Sequence, residues 1–154
     1  MESASFQSAS IAFPALTFNQ GFVEVARSTE EFRQGSRLGI RSGAYKQLLL
    51  VDARGDAFRV ADVRKIRTLA PRFKFIDFLE FAFGNPRWEV RFIFAPADPA
   101  CRSLEEVKLL FKHSFKKQKD FWRETGDFAE FKLKIMKAES MERIFAVFKE
   151  FNQY

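Results

Sequence analysis

Residues 103–124, SLEEVKLLFKHSFKKQKDFWRE, carry the strongest structural pattern in the chain. Ser103 is followed three residues later by Glu106, which is the capping-box spacing that begins a helix. Thr125 and Gly126 end the pattern. At a rise of roughly 1.5 Å per residue, the stretch predicts one amphipathic helix about 30 Å long. Its predicted buried face comprises Leu104, Val107, Phe111, Ser114, Phe115, Gln118 and Trp122.

One flank of this predicted helix carries a row of positive charge. Its five cations recur every three or four residues, and we call them the lysine row: Lys108, Lys112, Lys116, Lys119 and Arg123. Long basic side chains often border an apolar face only to keep their charge in water. The same row would also bind an acidic protein or a nucleic acid. These five residues are therefore the predicted partner-binding site.

The composition indicates a folded protein with an aromatic core. Hydrophobic residues make up 47% of the chain and charged residues 30%, which excludes a disordered polypeptide. Phenylalanine occurs 21 times and tyrosine twice. Because binding surfaces favour rings with a polar end, this contrast indicates that most rings are buried. The length of 154 residues predicts a single domain, 1–154, with residues 1–10 polar and flexible.

The charge predicts contact with an acidic macromolecule. The formal net charge is +6 and the isoelectric point is near 9.6, which favours an acidic protein, a nucleic acid or an anionic membrane. No segment forms a basic tail, whereas nucleic-acid-binding proteins more often concentrate their charge. An acidic protein is therefore the expected partner.

The expected location is the cytoplasm. Cys101 is the only cysteine, so an internal disulfide is excluded and a reducing compartment is suitable. Residues 1–18 have neither a positively charged start nor a continuous apolar segment. They therefore predict neither a secretion signal nor a membrane span.

The first part of the chain has the pattern of short strands and turns. Residues 11–18 and 21–26 predict two strands joined by a turn, with Pro14 placing the first strand towards a sheet edge. Residues 28–34 predict a short helix. Three glycines four residues apart follow with arginines between them, and they predict a mobile loop or, as the alternative, a phosphate-binding loop: Gly35, Gly39 and Gly43.

The middle of the chain has the clearest β pattern. Residues 46–67 predict a hairpin, with a bulge in its second strand near Ala61 and Asp62. Asp52 and Asp56 bracket the turn, where such residues usually bond their own backbone. We considered them as an acid and base pair as well.

The pattern after this hairpin is mixed. Residues 73–83 fit both the helix and the strand period, so their conformation stays open. Residues 88–94 alternate as a strand, and residues 96–102 predict a loop into the central helix. Two further helices are predicted, capped by Asp127 and Ser140. The chain therefore predicts an α+β fold, with a mainly antiparallel sheet from the first two thirds covered by two or three C-terminal helices.

The sequence contains no catalytic or cofactor motif. His113, the only histidine, lies on the exposed flank of the predicted helix, and Cys101 precedes that helix. One histidine and one cysteine do not suffice for a zinc site, and His113 is the only possible base for nucleophilic catalysis. We predict a protein without cofactor or metal that is not an enzyme. An enzyme would need a pocket that gathers Asp52, His113 or the glycine-rich segment.

Four segments in this order resemble small bacterial immunity proteins of polymorphic-toxin, contact-dependent or type VI secretion systems. They are GDAFRVADVRKIR (55–67), WEVRFIF (88–94), SLEEVKLLFKHSFKKQKDFW (103–122) and GDFAEFKLKIMKAESMERIFAVF (126–148), and the likeness spans roughly residues 46–151. The resemblance implies a β-rich part closed by C-terminal helices. It also implies a non-enzymatic protein that binds a cognate toxin and occludes its active site in the cytoplasm. The positive charge would suit a toxin with an acidic surface.

A second function is compatible with the same residues. The lysine row would serve a basic module that binds RNA or DNA, with an affinity that falls steeply as salt is raised. No oligomeric state is predicted.

Overall fold

The protein is described here by a computed structural model, in which residues 10–70, 75, 79, 82, 84–151 and 153 are defined. Six strands form one antiparallel sheet, in the spatial order β2-β1-β4-β5-β6-β3. The helices of the last third pack on one of its faces. The predicted α+β class is confirmed. The strands are β1 Ala15–Asn19, β2 Phe22–Ala26, β3 Gln34–Ser36, β4 Leu49–Val51, β5 Asp56–Thr68 and β6 Arg87–Cys101.

Most of the helical structure follows the sheet. The helices are α1 Arg37–Arg41, α2 Leu104–Lys117, α3 Lys119–Arg123, α4 Phe128–Lys137 and α5 Met141–Glu150, with 3₁₀ turns at Thr29–Phe32 and Ala44–Gln47. The predicted helix starts are confirmed. Asp127 accepts a bond from the backbone N–H of Glu130, and Ser140 accepts one from that of Arg143, both at 3.1 Å.

The N-terminal hairpin is tight. Gln20 and Gly21, its two turn residues, have φ of 52° and 91°, and such left-handed pairs match the twist of a two-residue hairpin. The predicted position of the first strand at an edge is wrong, because β1 lies between β2 and β4. Pro14 is tolerated there because the strand begins only at Ala15, so the missing N–H falls outside the ladder.

Strands β5 and β6, with 13 and 15 residues, are the longest strands in the described part of the chain. The predicted bulge is confirmed, since Val60 and Asp62 pair with consecutive residues of β6 and leave Ala61 without a partner. The predicted loop at 96–102 is wrong. Strand β6 continues to Cys101, which pairs with Asp56, and a register shift beside the prolines accommodates their missing N–H groups.

Buried side chains fill both faces of the sheet. The larger core joins the N-terminal hairpin to the C-terminal helices, so that Leu16 and Val23 belong to one cluster with Phe148. A smaller core on the other face is built around Leu50 and Phe58. The predicted aromatic core is confirmed: the largest fully buried side chains are Trp122, Phe111, Phe131 and Phe148.

The central helix begins as predicted but ends early. Ser103 and Glu106 form both bonds of the capping box. At Gln118 the backbone leaves the helix, with φ −116° and ψ 52°. Trp122 Nε1 donates to Ser114 Oγ at 2.8 Å, and that hydroxyl donates to the carbonyl of Gly21. The prediction of one helix from 103 to 124 is wrong. The helix is broken at Gln118, and the hydrogen bond between Trp122 and Ser114 connects the two sides of the break.

The segment predicted as a short helix and a glycine-rich loop is more regular than expected. Ser36 ends β3 and caps α1, accepting a bond from the N–H of Gly39 at 3.0 Å. A side chain on Gly39 would meet the ring of Tyr45, which explains the glycine. The predicted mobile loop is therefore wrong. In the segment left open, 73–83, the described residues Phe75, Leu79 and Ala82 are helical, and residues 1–9 lie outside the described chain.

Candidate interaction surfaces

The lysine row does not form one continuous line. The break at Gln118 moves its last two members onto α3. Lys108 bonds Glu105 at 3.1 Å and its side chain is only 12% exposed, and Arg123 pairs with Asp120 at 3.3 Å. Three lysines are exposed and make no ion pair among the described residues: Lys112, Lys116 and Lys119. The role of the row in partner binding stays a prediction.

A second basic surface, which the sequence patterns did not predict, lies on the paired strands β5 and β6. Ala57 and Ala97 point into the core beneath the C-terminal helices. Because alternate residues of a strand share a face, this face continues along β5 and β6 past the two alanines. Taking account of the bulges, it carries five exposed arginines, which we call the arginine face: Arg59, Arg64, Arg67, Arg87 and Arg91.

Two of these arginines lie directly opposite each other. Arg64 pairs with Arg91 in the register of β5 and β6. In such a pair the Cβ atoms are about 5 Å apart, and like charges oppose the pairing of the strands. Arg59 and Arg91 make no ion pair within the described part of the chain. The strands therefore bring together positive charge that their own residues do not fully neutralise.

Two carboxylates hold two arginines of the arginine face in place by hydrogen bonds. Arg64 Nε donates to Asp62 Oδ2 at 3.1 Å, and Arg67 Nε donates to Glu89. Both arginine side chains are still about 70% exposed. Among the described residues, no hydrogen bond from their terminal guanidinium nitrogens is found. Within the described part of the chain, these nitrogens therefore remain available to bind a group from outside.

A signal for this surface was present in the sequence. Between residues 27 and 91 there are eleven arginines and three lysines, whereas residues 102–149 contain three arginines and nine lysines. A count of basic residues hides this contrast unless arginine and lysine are separated. Period-two spacing did not mark the face either, because two bulges shift the alternation along β5.

Asp52 is structural. Its side chain is fully buried, and Oδ1 accepts the backbone N–H groups of Arg54 and Asp56 at 2.8 and 3.0 Å. Oδ2 accepts the N–H of Ala12 at 3.0 Å and bonds the Arg54 guanidinium. The predicted bonding to its own turn is confirmed, and with these bonds Asp52 joins the turn to the N-terminal segment.

Among the described residues, two cavities lie beside the smaller core of the sheet. One, of about 320 Å³, lies beside Thr17 and Glu24 and is lined by the rings of Phe32, Tyr45 and Phe92. The other, of about 290 Å³, includes Gly43 and Asp62, so it touches the glycine-rich segment. Neither cavity is lined by Asp52 or His113.

The nucleophilic and metal-binding residue types lie apart. His113 is exposed on α2, and Cys101 is exposed at the end of β6. Within the described residues, no three His, Cys, Asp or Glu side chains are placed to hold a metal ion. In the same part of the chain, no helix is both long and apolar enough to cross a bilayer.

Three ionisable groups of the described C-terminal helices have shifted pKa values: Glu106, Lys134 and Glu150. Hydrogen bonds from the Ser103 backbone and hydroxyl hold the pKa of Glu106 below its usual range. Hydrogen bonds to Glu150 and Glu130 raise the pKa of Lys134, and the bond from Lys134 lowers the pKa of Glu150. These groups stabilise helix ends and helix contacts, and none lies on the arginine face.

Protein-family models, curated proteins and solved structures gave no match to this chain. The surfaces are therefore judged by their own chemistry.

Proposed function

We propose that this protein binds an acidic protein partner and performs no catalysis itself. We further propose that it is an immunity protein, which neutralises a cognate bacterial toxin in the cytoplasm by occluding the toxin's active site. The order of its strands and helices supports the second proposal through the resemblance stated above. Its net charge of +6 supports an acidic partner.

One observation carries the proposal: exposed cations lack carboxylate partners in the described chain. They include Lys112, Lys116, Lys119, Arg59 and Arg91. A folded protein gains little from such groups, since exposed charges contribute little to stability. They do accelerate encounter with an acidic surface and select against basic partners. An immunity protein benefits from both effects, because it must bind its toxin before the toxin reaches its target.

A co-expression experiment tests the function. The protein would be produced together with a toxin domain encoded beside its gene, and growth would be compared with that of cells carrying the toxin alone. We expect restored growth and a complex that survives purification. Inactivated toxin should still be bound, because binding does not require toxin activity. Failure to protect, together with no complex, would reject the proposal.

Nucleic-acid binding is the outcome to exclude. The exposed lysines of α2 and α3 would then contact phosphates, and each contact would lower log affinity by about 0.9 per tenfold rise in salt on duplex DNA. Suppose that the protein binds duplex DNA, that log affinity falls by several times about 0.9 per tenfold rise in salt, and that no toxin is bound. This result would favour nucleic-acid binding.

A further inference from the structure

The lysine row and the arginine face differ in residue type and in how far their side chains are held in place. We infer that the arginine face of β5 and β6 is where the acidic partner binds, and that its guanidinium groups bind carboxylates of a protein. This inference rests on the proposed function and assigns its contact surface. The lysine row would then be a solvated border.

Arg64 and Arg91 lie directly opposite each other across β5 and β6. Like charges directly across a strand pair destabilise it, and the fold would be better served by a neutral or acidic residue at either position. Arg91 makes no ion pair among the described residues. A negatively charged partner lying over the pair would turn this repulsion into attraction, so the arrangement has a physical reason in the complex.

Hydrogen bonds order two of the arginine side chains before any partner binds. Asp62 and Glu89 each bond the Nε of a neighbouring arginine. The arginine is held in place while its terminal nitrogens stay available. Ordering before binding reduces the entropy lost on association. The lysines at 112, 116 and 119 have no such bonds among the described residues. Their side chains would therefore lose more conformational entropy on binding.

The chemistry of the arginine face favours a carboxylate as the anion that it binds. A guanidinium matches a carboxylate with two parallel hydrogen bonds, and protein interfaces are enriched in arginine and depleted in lysine. The face contains no lysine, and it includes the half-buried apolar side chains of Ile93 and Ala95. A protein surface of mixed polarity, rich in Asp and Glu, is the better complement.

Matched triple variants test the assignment. One variant is Arg59→Gln, Arg64→Gln and Arg91→Gln, and its control is Lys112→Gln, Lys116→Gln and Lys119→Gln. Each removes three exposed positive charges, so the net charge is the same in both. The probes are a fluorescent poly-glutamate peptide, a DNA duplex and the toxin used for co-expression. Thermal melting of both variants checks that they fold.

We expect the arginine variant to bind poly-glutamate at least about tenfold more weakly than the parent protein, and the lysine variant within about threefold of it. Toxin binding should follow the same order. Equal weakening in both variants, no binding of poly-glutamate by the parent, or tighter binding of the duplex at the arginine face would overturn the inference. Failure of the proposed function looks different: poly-glutamate binds as expected, but no toxin is bound or neutralised.

Discussion

Asp52 determines the geometry of the turn between β4 and β5. It is fully buried and accepts three backbone N–H bonds, from Ala12, Arg54 and Asp56. Asp52→Ala would leave these donors without an acceptor, at a cost of about 3 kcal/mol in the free energy of unfolding. Asp56→Ala is the control. Its carboxylate is 44% exposed and pairs only with Arg54, so urea denaturation should show a loss below about 1 kcal/mol. Equal losses would contradict this role for Asp52.

Ser114 joins two parts of the chain that are distant in sequence. Its hydroxyl accepts from Trp122 Nε1 and donates to the carbonyl of Gly21. Ser114→Ala should lower the free energy of unfolding by about 2 kcal/mol, because both partners would lose a buried hydrogen bond. A double-mutant cycle with Trp122→Phe should give a coupling energy of about 1 kcal/mol. Additive effects would show that the serine acts by size alone.

These two residues show where reasoning from the sequence stops at this scale. The turn around Asp52 was predictable, because acidic residues in turns bond the backbone within a few positions. Its bond to Ala12 crosses 40 positions, and that of Ser114 to Gly21 crosses 93. Ser114 was correctly placed on a buried face by periodicity. Its partners were not predictable, because no local pattern encodes contacts at such a distance.

The pairing of β5 with β6 allows a test in which stability and partner binding change in opposite directions. Arg91→Glu places a carboxylate opposite Arg64. Repulsion becomes attraction, so the fold should gain about 0.5–1 kcal/mol, or roughly 2–3 °C in melting temperature. Arg59→Glu is the control, because its partner is Ala95 and it has no repulsion to relieve. We expect both variants to lose partner binding and only Arg91→Glu to melt higher, as measured by calorimetry.

The start of α2 has a pH signature. The pKa of Glu106 is lowered in the folded protein by its bonds with Ser103, so its stabilising effect is present above its unfolded pKa of about 4.3. The effect is lost as pH falls through the folded value. Glu106→Gln keeps the capping geometry but not the charge. Its melting temperature should be lower than that of the parent at neutral pH, and the difference should vanish in acid.

Glu105→Gln is the matched control for this measurement. Glu105 also lies in the first turn of α2, but its side chain bonds Lys108 and not the cap. Melting curves recorded from acid to neutral pH should therefore show a smaller pH-dependent difference for Glu105→Gln. A difference for Glu106→Gln that persists unchanged in acid would argue against a role for its charge.

Element boundaries were predictable where a local signal sets them. The capping pairs at 103, 127 and 140 act within four residues, and all three helices begin there. The break at Gln118 depends on a hydrogen bond from its side chain to the carbonyl of Gln20 and on the burial of Trp122. The length of β6 depends on pairing with β5. Both are tertiary effects, and local propensity does not determine them.

At the scale of the whole molecule, charge should control the rate of association. A basic protein meeting an acidic one is steered by long-range attraction, which salt screens. Between about 0.05 and about 0.5 M salt, we expect the association rate constant with the toxin to fall at least about tenfold, while the dissociation rate constant changes by less than about threefold. Stopped-flow mixing measures both. The arginine triple variant should show a flatter dependence, and an identical slope would mean that the steering charge lies elsewhere.

The global architecture was largely predictable and the arginine face was not. Strand patterns followed by helix patterns are sufficient for an α+β fold, because each class of element must bury its apolar side against the other. The face depends on the strand order and on two bulges that shift which residues point outward. Before the pairing of β5 with β6 is known, Arg59, Arg64 and Arg91 are only three of 26 basic residues.

The larger core has a consequence for synthesis. Leu16 and Val23 share one cluster with Phe148, which is synthesised much later. A nascent chain therefore cannot complete this core until α5 has left the ribosome, and the N-terminal hairpin must wait with its apolar side uncovered. During this interval, chaperones would compete with α5 for the same surface.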